Sequence, residues 1–405
     1  MEMLQRIKGK TIPNGWQKVN LHKVTTQIID GTHSTPNYVE EGIDFYSVES
    51  VSRNDFKNVK KITVEEHEKI SKRCPVEKGD ILMTRIGTLG ATRLIDWDVN
   101  ASIYVSLALL KVKDSVSKRY LYQYTKSHHF QKEVLSRSLL RATPQKINMG
   151  DIKKISILIP NDIAEQEKIA NILFTWDKAI DLKEKQIKQK KEQKKSLMQK
   201  LLNGKVRLPG FVEEWKEIRL GDLLIKHNEK SQLNNQYPVL TSSRRGIFLQ
   251  KDYYLGNEVA SEDNTGYNVV PYGYFTYRHM SDDLTFKFNI NDIVEKGIVS
   301  TLYPVFTTKK ELNSRFLLLK LNEGNEFKRF ALKQKQGGSR TYMYYSKLEE
   351  LKLFVPSLEE QNKIAEYLSY MDKNTQLLEK ELDNLQMQKK GLMQLLFTGE
   401  IRVKV

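Results

Sequence analysis

Two stretches of the chain carry apolar residues at alternating spacings of four and three, the pattern of a coiled-coil helix. In the C-terminal stretch the seam is mostly apolar and consists of Ile364, Leu368, Met371, Thr375, Leu378, Leu382, Leu385, Lys389, Leu392 and Leu396. In the central stretch it includes three lysines and consists of Ile169, Leu173, Trp176, Ile180, Lys183, Ile187, Lys190, Lys194, Leu197 and Leu201. Each stretch follows a proline and stops at a glycine, Gly204 or Gly399. The pattern predicts a central helix over 161–207 and a C-terminal helix over 357–405, and the lysines predict a looser, more hydrated middle for the central one.

The two helical stretches are copies of each other. Lys168-Ile169-Ala170 recurs as Lys363-Ile364-Ala365, and Leu197-Met198-Gln199 recurs as Leu392-Met393-Gln394, each at an offset of 195 (364 − 169 and 393 − 198). Gln166 and Arg207 recur at the same offset as Gln361 and Arg402. A repeat this regular, with unlike sequence between its copies, predicts a chain made of two half-molecules.

The sequence before each helix consists of short strand-like runs, aromatic residues and Gly and Asn turns, over 1–160 and 208–356. Within the first block, the apolar run 102–112 predicts a buried strand and residues 118–135 predict one helix. Both blocks open on a tryptophan, Trp16 or Trp215, and both end in an alternating strand that passes through proline into the long helix. We therefore expect an α+β fold, with two α/β domains joined by two long antiparallel coiled-coil helices in a pseudo-two-fold repeat.

The long helices could pair with each other or with other chains. Pairing within the chain is favoured because about 150 folded residues tether the helices at high effective concentration. A helix of about 37 residues spans roughly 55 Å, whereas one turn of B-DNA is roughly 34 Å. Antiparallel helices of this length could hold two DNA-reading domains one to one and a half turns apart.

Composition indicates a polyanionic partner. The formal net charge is +16 and the pI is near 9.4, and nucleic acid is favoured over membrane because the lysine-rich stretch 183–195 has only Ile187 as a large apolar residue. The single cysteine, Cys74, excludes a disulfide framework and fits a reducing cytoplasm. The polar residues 1–10 show no secretory signal, so we expect a soluble intracellular protein.

Catalytic motifs are not evident in the sequence. It has no phosphate-binding loop, dinucleotide-binding glycine motif, zinc-protease motif or cysteine pair. Val269-Val270-Pro271-Tyr272 is the nearest approach to an adenine methyltransferase motif, but it lacks the Asp/Asn-Pro that would hold the amino group, and an ordinary strand-to-turn proline explains it better. His128-His129 has no carboxylate pair at ligand spacing, so we expect a surface helix and no metal site.

DNA contact is predicted for polar loops, because Arg and Lys bind guanine edges, Asn and Gln bind adenine, and hydroxyl groups bind phosphates. In the first block the candidates are Thr32, His33, Ser34, Arg85, Thr88, Arg141, Gln145 and Lys146. In the second block they are Ser243, Arg244, Arg245, Arg278, His279, Lys335, Arg340 and Tyr342. For each residue the alternative is a solvated side chain or a structural ion pair.

The chain resembles the specificity (S) subunit of type I restriction–modification systems. The resemblance covers essentially the whole chain and is carried by the two Gln-x-Lys-Ile-Ala helix starts, the two Leu-Met-Gln…Gly helix ends and the Pro209-Gly210-Phe211…Trp215 opening of the second half. Asp30 to Pro36 also resembles loops of the family's target recognition domains. The resemblance assigns 1–160 and 208–356 as target recognition domains and the two helices as the family's conserved regions.

What the resemblance implies is a prokaryotic, cytoplasmic, non-catalytic subunit. Each domain would recognise one half of a bipartite, asymmetric double-stranded DNA target. Two modification subunits, which bind S-adenosylmethionine, would dock on the helices and methylate adenine, and restriction subunits, which use ATP and Mg, would complete the nuclease. No cofactor is expected on this chain itself.

Two other classes of protein stay open at this point. One is a methyltransferase or nuclease fused to a two-domain DNA reader, which the missing catalytic motifs disfavour. The other is a coiled-coil scaffold that assembles partners without reading DNA, which the basic charge disfavours. The affinity of a DNA-binding protein should fall steeply with salt through counterion release, and a scaffold's complex should not follow that law.

Overall fold

A computed structural model describes residues 12–255, 262–335 and 340–405. The chain divides into two compact units, the first made of 1–184 with 380–405 and the second of 185–379. Each unit thus contains one globular region and part of both long helices. The predicted domain limits stay predictions, and the expected lack of a signal at 1–10 falls outside the described residues.

The two long helices run over Ile163–Leu202 and Leu358–Thr398. The Asp162 carboxylate accepts a hydrogen bond from the Ala164 amide (2.8 Å) and caps the start of the first. Both helices stop as expected, because Gly204 and Gly399 adopt φ of +69° and +70°. Every predicted seam position is buried or half-buried.

Ion pairs across the seam give the helix direction within each unit. In the first unit Asp177 pairs with Lys389 and Lys183 Nζ lies 2.9 Å from Glu381 Oε2. In the second, Lys191 Nζ lies 2.6 Å from Glu379 Oε1 and Lys194 pairs with Asp372. The numbering falls on one helix as it rises on the other, so the helices are antiparallel in both units. Two of the seam lysines are therefore held in ion pairs, in the part of the central helix that was expected to be looser and more hydrated.

The globular region of the first unit contains ten strands and six short helices. Its strands are Trp16–Asn20, Thr25–Asp30, Tyr38–Val39, Ile43–Tyr46, Lys60–Ile62, Ile81–Thr84, Thr92–Leu94, Ala101–Ile103, Leu107–Val112 and Ser156–Pro160. Its helices are Leu21–Val24, Val48–Ser52, Val64–Ser71, Lys118–Thr125, His128–Ser136 and Met149–Lys153. These counts refer to the residues from 12 onward that the structure describes.

The described part of the second unit contains twelve strands and five short helices. Its strands are Lys216–Arg219, Leu224–His227, Leu240–Ser243, Gly246–Leu249, Asn268–Pro271, Phe275–Tyr277, Met280–Ser281, Phe288–Ile290, Lys296–Val299, Val305–Thr308, Thr341–Tyr342 and Lys352–Val355. Its helices are the 3-10 turn Leu220–Leu223 and the α-helices Gln250–Tyr253, Ser314–Glu323, Asn325–Lys333 and Tyr345–Leu348.

The two units share a topology. Each has a four-stranded antiparallel sheet of matching order, 25–30, 107–112, 81–84, 92–94 in one and 224–227, 305–308, 275–277, 288–290 in the other. Each also pairs its opening strand antiparallel with the strand that leads into the long helix, as in Trp16 opposite Pro160. The first unit has a further four-stranded sheet in which Ile43–Tyr46 runs parallel to Ala101–Ile103. The expected fold class and repeat are confirmed.

Repeated polar residues are buried at the helix starts. In the first unit Gln166 Nε2 donates to Pro160 O (2.9 Å) and its Oε1 accepts from Ser117 N (2.8 Å). In the second, Gln361 Nε2 donates to Pro356 O (3.0 Å) and its Oε1 accepts from Asn313 N (2.9 Å). Both glutamines satisfy backbone groups that would otherwise be buried without partners, which explains why they recur.

In each unit a salt bridge connects the first turn of one long helix to the residues that follow the end of the other. Arg402 contacts Glu165 through two bonds of 2.6 and 2.8 Å, and the Trp16 indole donates to the same carboxylate at 3.3 Å. In the second unit Arg207 contacts Glu360 through two bonds of 2.6 Å. Both glutamates are buried, at 3% and 1% side-chain exposure. We call these contacts the helix-end salt bridges.

Two local predictions were wrong. Residues 118–135 form two helices, because the Ser127 hydroxyl accepts from Phe130 N (3.2 Å) and caps a new one. Residues 102–112 form two strands with a turn at 104–106, in which Leu107 N donates to Tyr104 O (2.9 Å).

Cys74 lies in the first unit's core, and burial raises the pKa of its thiol to about 11. This places it among inert structural cysteines, since a reactive one needs a lowered pKa and exposure. None of the helices in the described ranges is long and apolar enough to cross a bilayer.

Candidate nucleic-acid interface

Two loops of the first unit that were predicted separately form one surface. Gly87 N donates to Gln145 O (2.8 Å), Ile147 N donates to Arg85 O (2.9 Å), and Ile86 forms a β-bridge with Lys146. Thr88, Arg141, Gln145 and Lys146 are all exposed. Four of the predicted DNA-contacting side chains are thus available on this surface.

Arg85 is placed differently from the sequence-based expectation. Arg85 directly follows the Ile81–Thr84 strand, and its side chain is buried, with only 9% exposure. Its guanidinium bonds Asp30 Oδ2 (3.3 Å), Val105 O (3.0 Å) and Ile147 O (3.3 Å). Burial lowers its pKa while the Asp30 carboxylate opposes that change. Arg85 therefore connects the bases of three loops, and its direct contact with DNA stays a prediction.

The loop after the Thr25–Asp30 strand carries Thr32, His33 and Ser34. His33 is well exposed and its Nε2 lies 3.0 Å from Asp30 Oδ2. Arg73 reaches the same loop, where its Nη2 donates to Asp30 O (2.8 Å) and Gly31 O (2.5 Å). The residues that line the adjacent cleft, of about 450 Å³, include Thr32, His33, Ser34, Arg73, Lys69 and Glu66. The cleft presents cationic and hydroxyl groups of the kind that bind phosphate.

Replacing Arg85 by methionine should lower the free energy of unfolding by about 1–2 kcal/mol. Methionine retains most of the buried aliphatic volume but cannot donate to Val105 O, Ile147 O or the Asp30 carboxylate. Urea unfolding followed by circular dichroism would measure the loss, and Thr88→Ala, at an exposed position of the next loop, serves as a control with little expected effect. Equal stability of the two variants would contradict a structural role for Arg85.

In the second unit the strands Leu240–Ser243 and Gly246–Leu249 form a hairpin whose two-residue turn is Arg244-Arg245. The Ser243 hydroxyl accepts from Arg245 N (3.1 Å) and donates to Gly246 O (3.0 Å), which holds the turn. Both arginines are exposed. The Arg244 guanidinium pairs with Asp283 (2.6 Å), and the Arg245 guanidinium lies 4.7 Å from the Tyr253 ring centroid.

Arg278, His279, Arg340 and Tyr342 lie in or beside the two-stranded pair of Met280–Ser281 with Thr341–Tyr342. Arg278 is exposed, whereas His279 is buried and stacks on Tyr344 with ring centroids 5.2 Å apart. Tyr342 stacks on Tyr344 at 5.6 Å. Arg340 pairs with Asp282 (2.9 Å), and Lys335 is exposed two residues after the helix that ends at Lys333. Residues 336–339 of the predicted loop lie outside the described residues.

Sequence reasoning missed the acidic and aromatic partners of these loops. Asp30, Asp282 and Asp283 each hold predicted cationic residues, Arg73 supports the 30–34 loop, and Tyr344 extends the ring stack. The aspartates could have been noticed because each lies within or directly beside a loop rich in polar residues. Arg73 carried no such signal, since it follows an ordinary helix more than forty residues away.

Across 12–255, 262–335 and 340–405, no group of three His, Cys, Asp or Glu residues could hold a metal ion. His128 and His129 lie at the start of a short helix, as the surface-helix expectation requires.

These features define a nucleic-acid-binding protein of repeated construction, in which each half presents cationic and hydroxyl side chains on loops beside a sheet. The model of the type I restriction modification DNA specificity domain matches residues 13–193 and 212–387, and the chain belongs to this family. The resemblance to type I specificity subunits and the expected role in DNA sequence specificity are thereby confirmed.

One curated relative and two solved structures cover nearly the whole chain. The putative type I restriction enzyme MjaX specificity subunit of Methanocaldococcus jannaschii is 26% identical over 97% of this chain and 95% of its own length. The MjaVIII specificity subunit of the same organism is 25% identical over 62% of this chain and 63% of its own length. The solved S subunit of a type I restriction–modification system from M. genitalium is similar in fold, with a TM-score of 0.55, 16% identity and coverage of 97% and 98% of the two chains. The HsdS subunit from Thermoanaerobacter tengcongensis gives a TM-score of 0.52, 15% identity and coverage of 96% and 98%.

Proposed function

We propose that each unit recognises one half of a bipartite, asymmetric double-stranded DNA target. The observation that supports this most directly is that the DNA specificity domain occurs twice in the chain, once in each half. The two halves share a sheet topology but present unlike loops, with Thr88, Gln145 and Lys146 in one and Arg244, Arg245 and Arg278 in the other. Side chains of different hydrogen-bonding type select different bases, so the two half-sites differ in sequence.

The predicted residues contribute in different ways. Exposed side chains contact DNA directly, and Arg85 and His279 act from the interior by fixing the loops that carry them. The net charge of +16 supplies the sequence-independent attraction to phosphates. The long helices hold the two readers at a constant spacing, so that the bases between the half-sites are not read.

The same helices dock the modification subunits. Their outer faces carry exposed large apolar side chains, namely Leu182, Tyr367, Tyr370, Leu377 and Met387. Tyr367, Tyr370 and Leu377 follow one another at spacings of three and seven residues, so they share one face of the C-terminal helix, and contiguous exposed apolar surface supports protein–protein contact. Two adenine-specific modification subunits, which bring S-adenosylmethionine, occupy these faces in the prokaryotic cytoplasm, and restriction subunits that use ATP and Mg join them. The chain itself performs no methyl transfer or hydrolysis.

Methylome sequencing of a host that carries this chain with its modification subunit tests the proposal. We expect one bipartite methylated motif with an unspecified spacer, and no such methylation when the chain is deleted. A continuous motif, or methylation that does not depend on this chain, would contradict it. In binding assays on the purified complex, the logarithm of the affinity should fall linearly with the logarithm of salt, at a slope of roughly −0.9 for each phosphate contacted.

A further inference from the structure

Two neighbouring aspartates hold exposed arginines of the second unit. Asp283 Oδ1 lies 2.6 Å from Arg244 Nη2, and Asp282 Oδ1 lies 2.9 Å from Arg340 Nε. All four side chains are more than half exposed. Arg244 occupies the tip of the hairpin and Arg340 precedes the Thr341–Tyr342 strand, so the 282–283 pair connects two of the loops predicted to contact DNA.

Asp283 is itself fixed in place. Its Oδ1 accepts from Thr285 N (3.0 Å) and from the Ser281 hydroxyl (3.0 Å) as well as from Arg244. These three hydrogen bonds lower the pKa of the Asp283 carboxyl to about 2, and the bond from the Thr285 amide contributes most. The carboxylate therefore stays ionised near neutral pH.

Stability does not account for these contacts. Exposed ion pairs contribute little to folding because solvent screens them and two side chains lose freedom. A carboxylate on a DNA-binding face also repels phosphates, so it weakens sequence-independent binding. What the pair does supply is orientation, since it holds a guanidinium in one direction before DNA arrives, and pre-orientation lowers the entropic cost of a bidentate contact.

The first unit also has an aspartate that contacts several cationic side chains, but this aspartate is largely buried, at 13% side-chain exposure. There Asp30 lies 3.0 Å from His33 Nε2, 3.3 Å from Arg85 Nη1 and 3.5 Å from Arg73 Nη1. One aspartate again collects the cationic side chains of a polar loop. Because the Asp30–Arg85 pair is buried, it stabilises the fold, and the exposed Asp283–Arg244 pair is the one whose role is orientation.

We propose that Asp283 is a specificity-determining positioning residue that orients Arg244 and competes with DNA phosphates for it. Arg244 has one hydrogen bond to the carboxylate, and it leaves that bond without net loss where a guanine edge accepts two bonds in its place. A single phosphate of non-target DNA is a less favourable partner for Arg244. Binding to it leaves the Asp283 carboxylate without its cation and facing the negatively charged DNA. This inference rests on the proposed function of the second unit and adds how that unit rejects other sequences.

The test measures dissociation constants of the complex with the modification subunit, at fixed salt, for two duplexes of equal composition. One carries the methylated target and the other carries the same bases scrambled. Asp283→Asn should tighten binding to the scrambled duplex about fivefold and change target binding less than twofold, so the discrimination ratio falls about fivefold. Asp263→Asn is the matched control, because Asp263 also bonds a backbone amide two residues on (Thr265 N, 2.9 Å) and pairs with no arginine among the described residues. It should leave the ratio unchanged.

A double-mutant comparison identifies the route of the effect. If Asp283 acts through Arg244, Asp283→Asn introduced into Arg244→Ala should not change the ratio further. A ratio unaffected by Asp283→Asn in an otherwise discriminating complex, or an equal loss with and without Arg244, would overturn the inference alone. A native complex that binds both duplexes equally would overturn the proposed function and this inference with it. Unchanged thermal melting of the exposed Asp283→Asn variant verifies that folding is intact.

Discussion

Replacing Arg402 by alanine is expected to lower the free energy of unfolding of the first unit by about 3 kcal/mol. Arg402 supplies both guanidinium bonds to Glu165, whose side chain is only 3% exposed. Without it a buried carboxylate keeps only the 3.3 Å bond from the Trp16 indole. Arg402 also donates a hydrogen bond to Asn14 O (2.9 Å). The substitution therefore also removes this contact between residue 14 and the C-terminal residues.

Amide hydrogen exchange shows which part of the protein loses stability in the variant. Amides near the start of the central helix and around 395–403 should exchange faster in Arg402→Ala, whereas those around 358–365 should keep their protection. Arg207→Ala should give the reverse pattern, because it breaks the matching salt bridge to Glu360 in the second unit. Lys404→Ala is the control, since Lys404 is exposed. A uniform change across both units would mean that the helix-end salt bridges do not stabilise their units separately.

The double substitution Arg244→Ala, Arg245→Ala is expected to relax one half of the recognised target and leave the other half unchanged. Loss of a bidentate arginine–guanine contact removes about 1–3 kcal/mol of discrimination, roughly 5- to 150-fold at that position. The effect is confined to one half because both arginines lie on a hairpin whose contacts are within the second unit.

Methylome sequencing of hosts carrying the variant measures this directly. The methylated motif should become degenerate at one or more positions of a single half-site. Arg329→Ala removes an exposed arginine from a helix of the same unit and should leave the motif intact. Degeneracy in both halves, or in neither, would show that the units do not recognise the half-sites separately.

The fold was largely predictable from the sequence. The alternating seam from Ile364 to Leu396 and the glycines at 204 and 399 predicted the long helices, because helix periodicity and termination depend on residues close in sequence. The same local reasoning failed at Ser127, which could continue a helix or cap a new one, and burial of Phe130 behind the cap decides between them.

The candidate interface was predictable in residue type but not in role. Arg85 and Arg244 look alike in sequence, since each lies in a polar loop two residues before a glycine. In the structure Arg85 is buried and donates hydrogen bonds to Asp30 and to two carbonyl groups. Arg244 is exposed and donates to Asp283. Pattern alone could not distinguish them, because the difference depends on partners far along the chain.

By itself the sequence determined the two-fold repeat, the two helices with their ends, and the surplus of positive charge. Each of these depends on residue types and on spacings of a few positions. Only the tertiary structure decided which cations face solvent, since the Arg85–Asp30 and Arg244–Asp283 contacts join residues 55 and 39 positions apart. The register of sheets and loops sets such pairings, because a buried charge must find a partner wherever the fold places one.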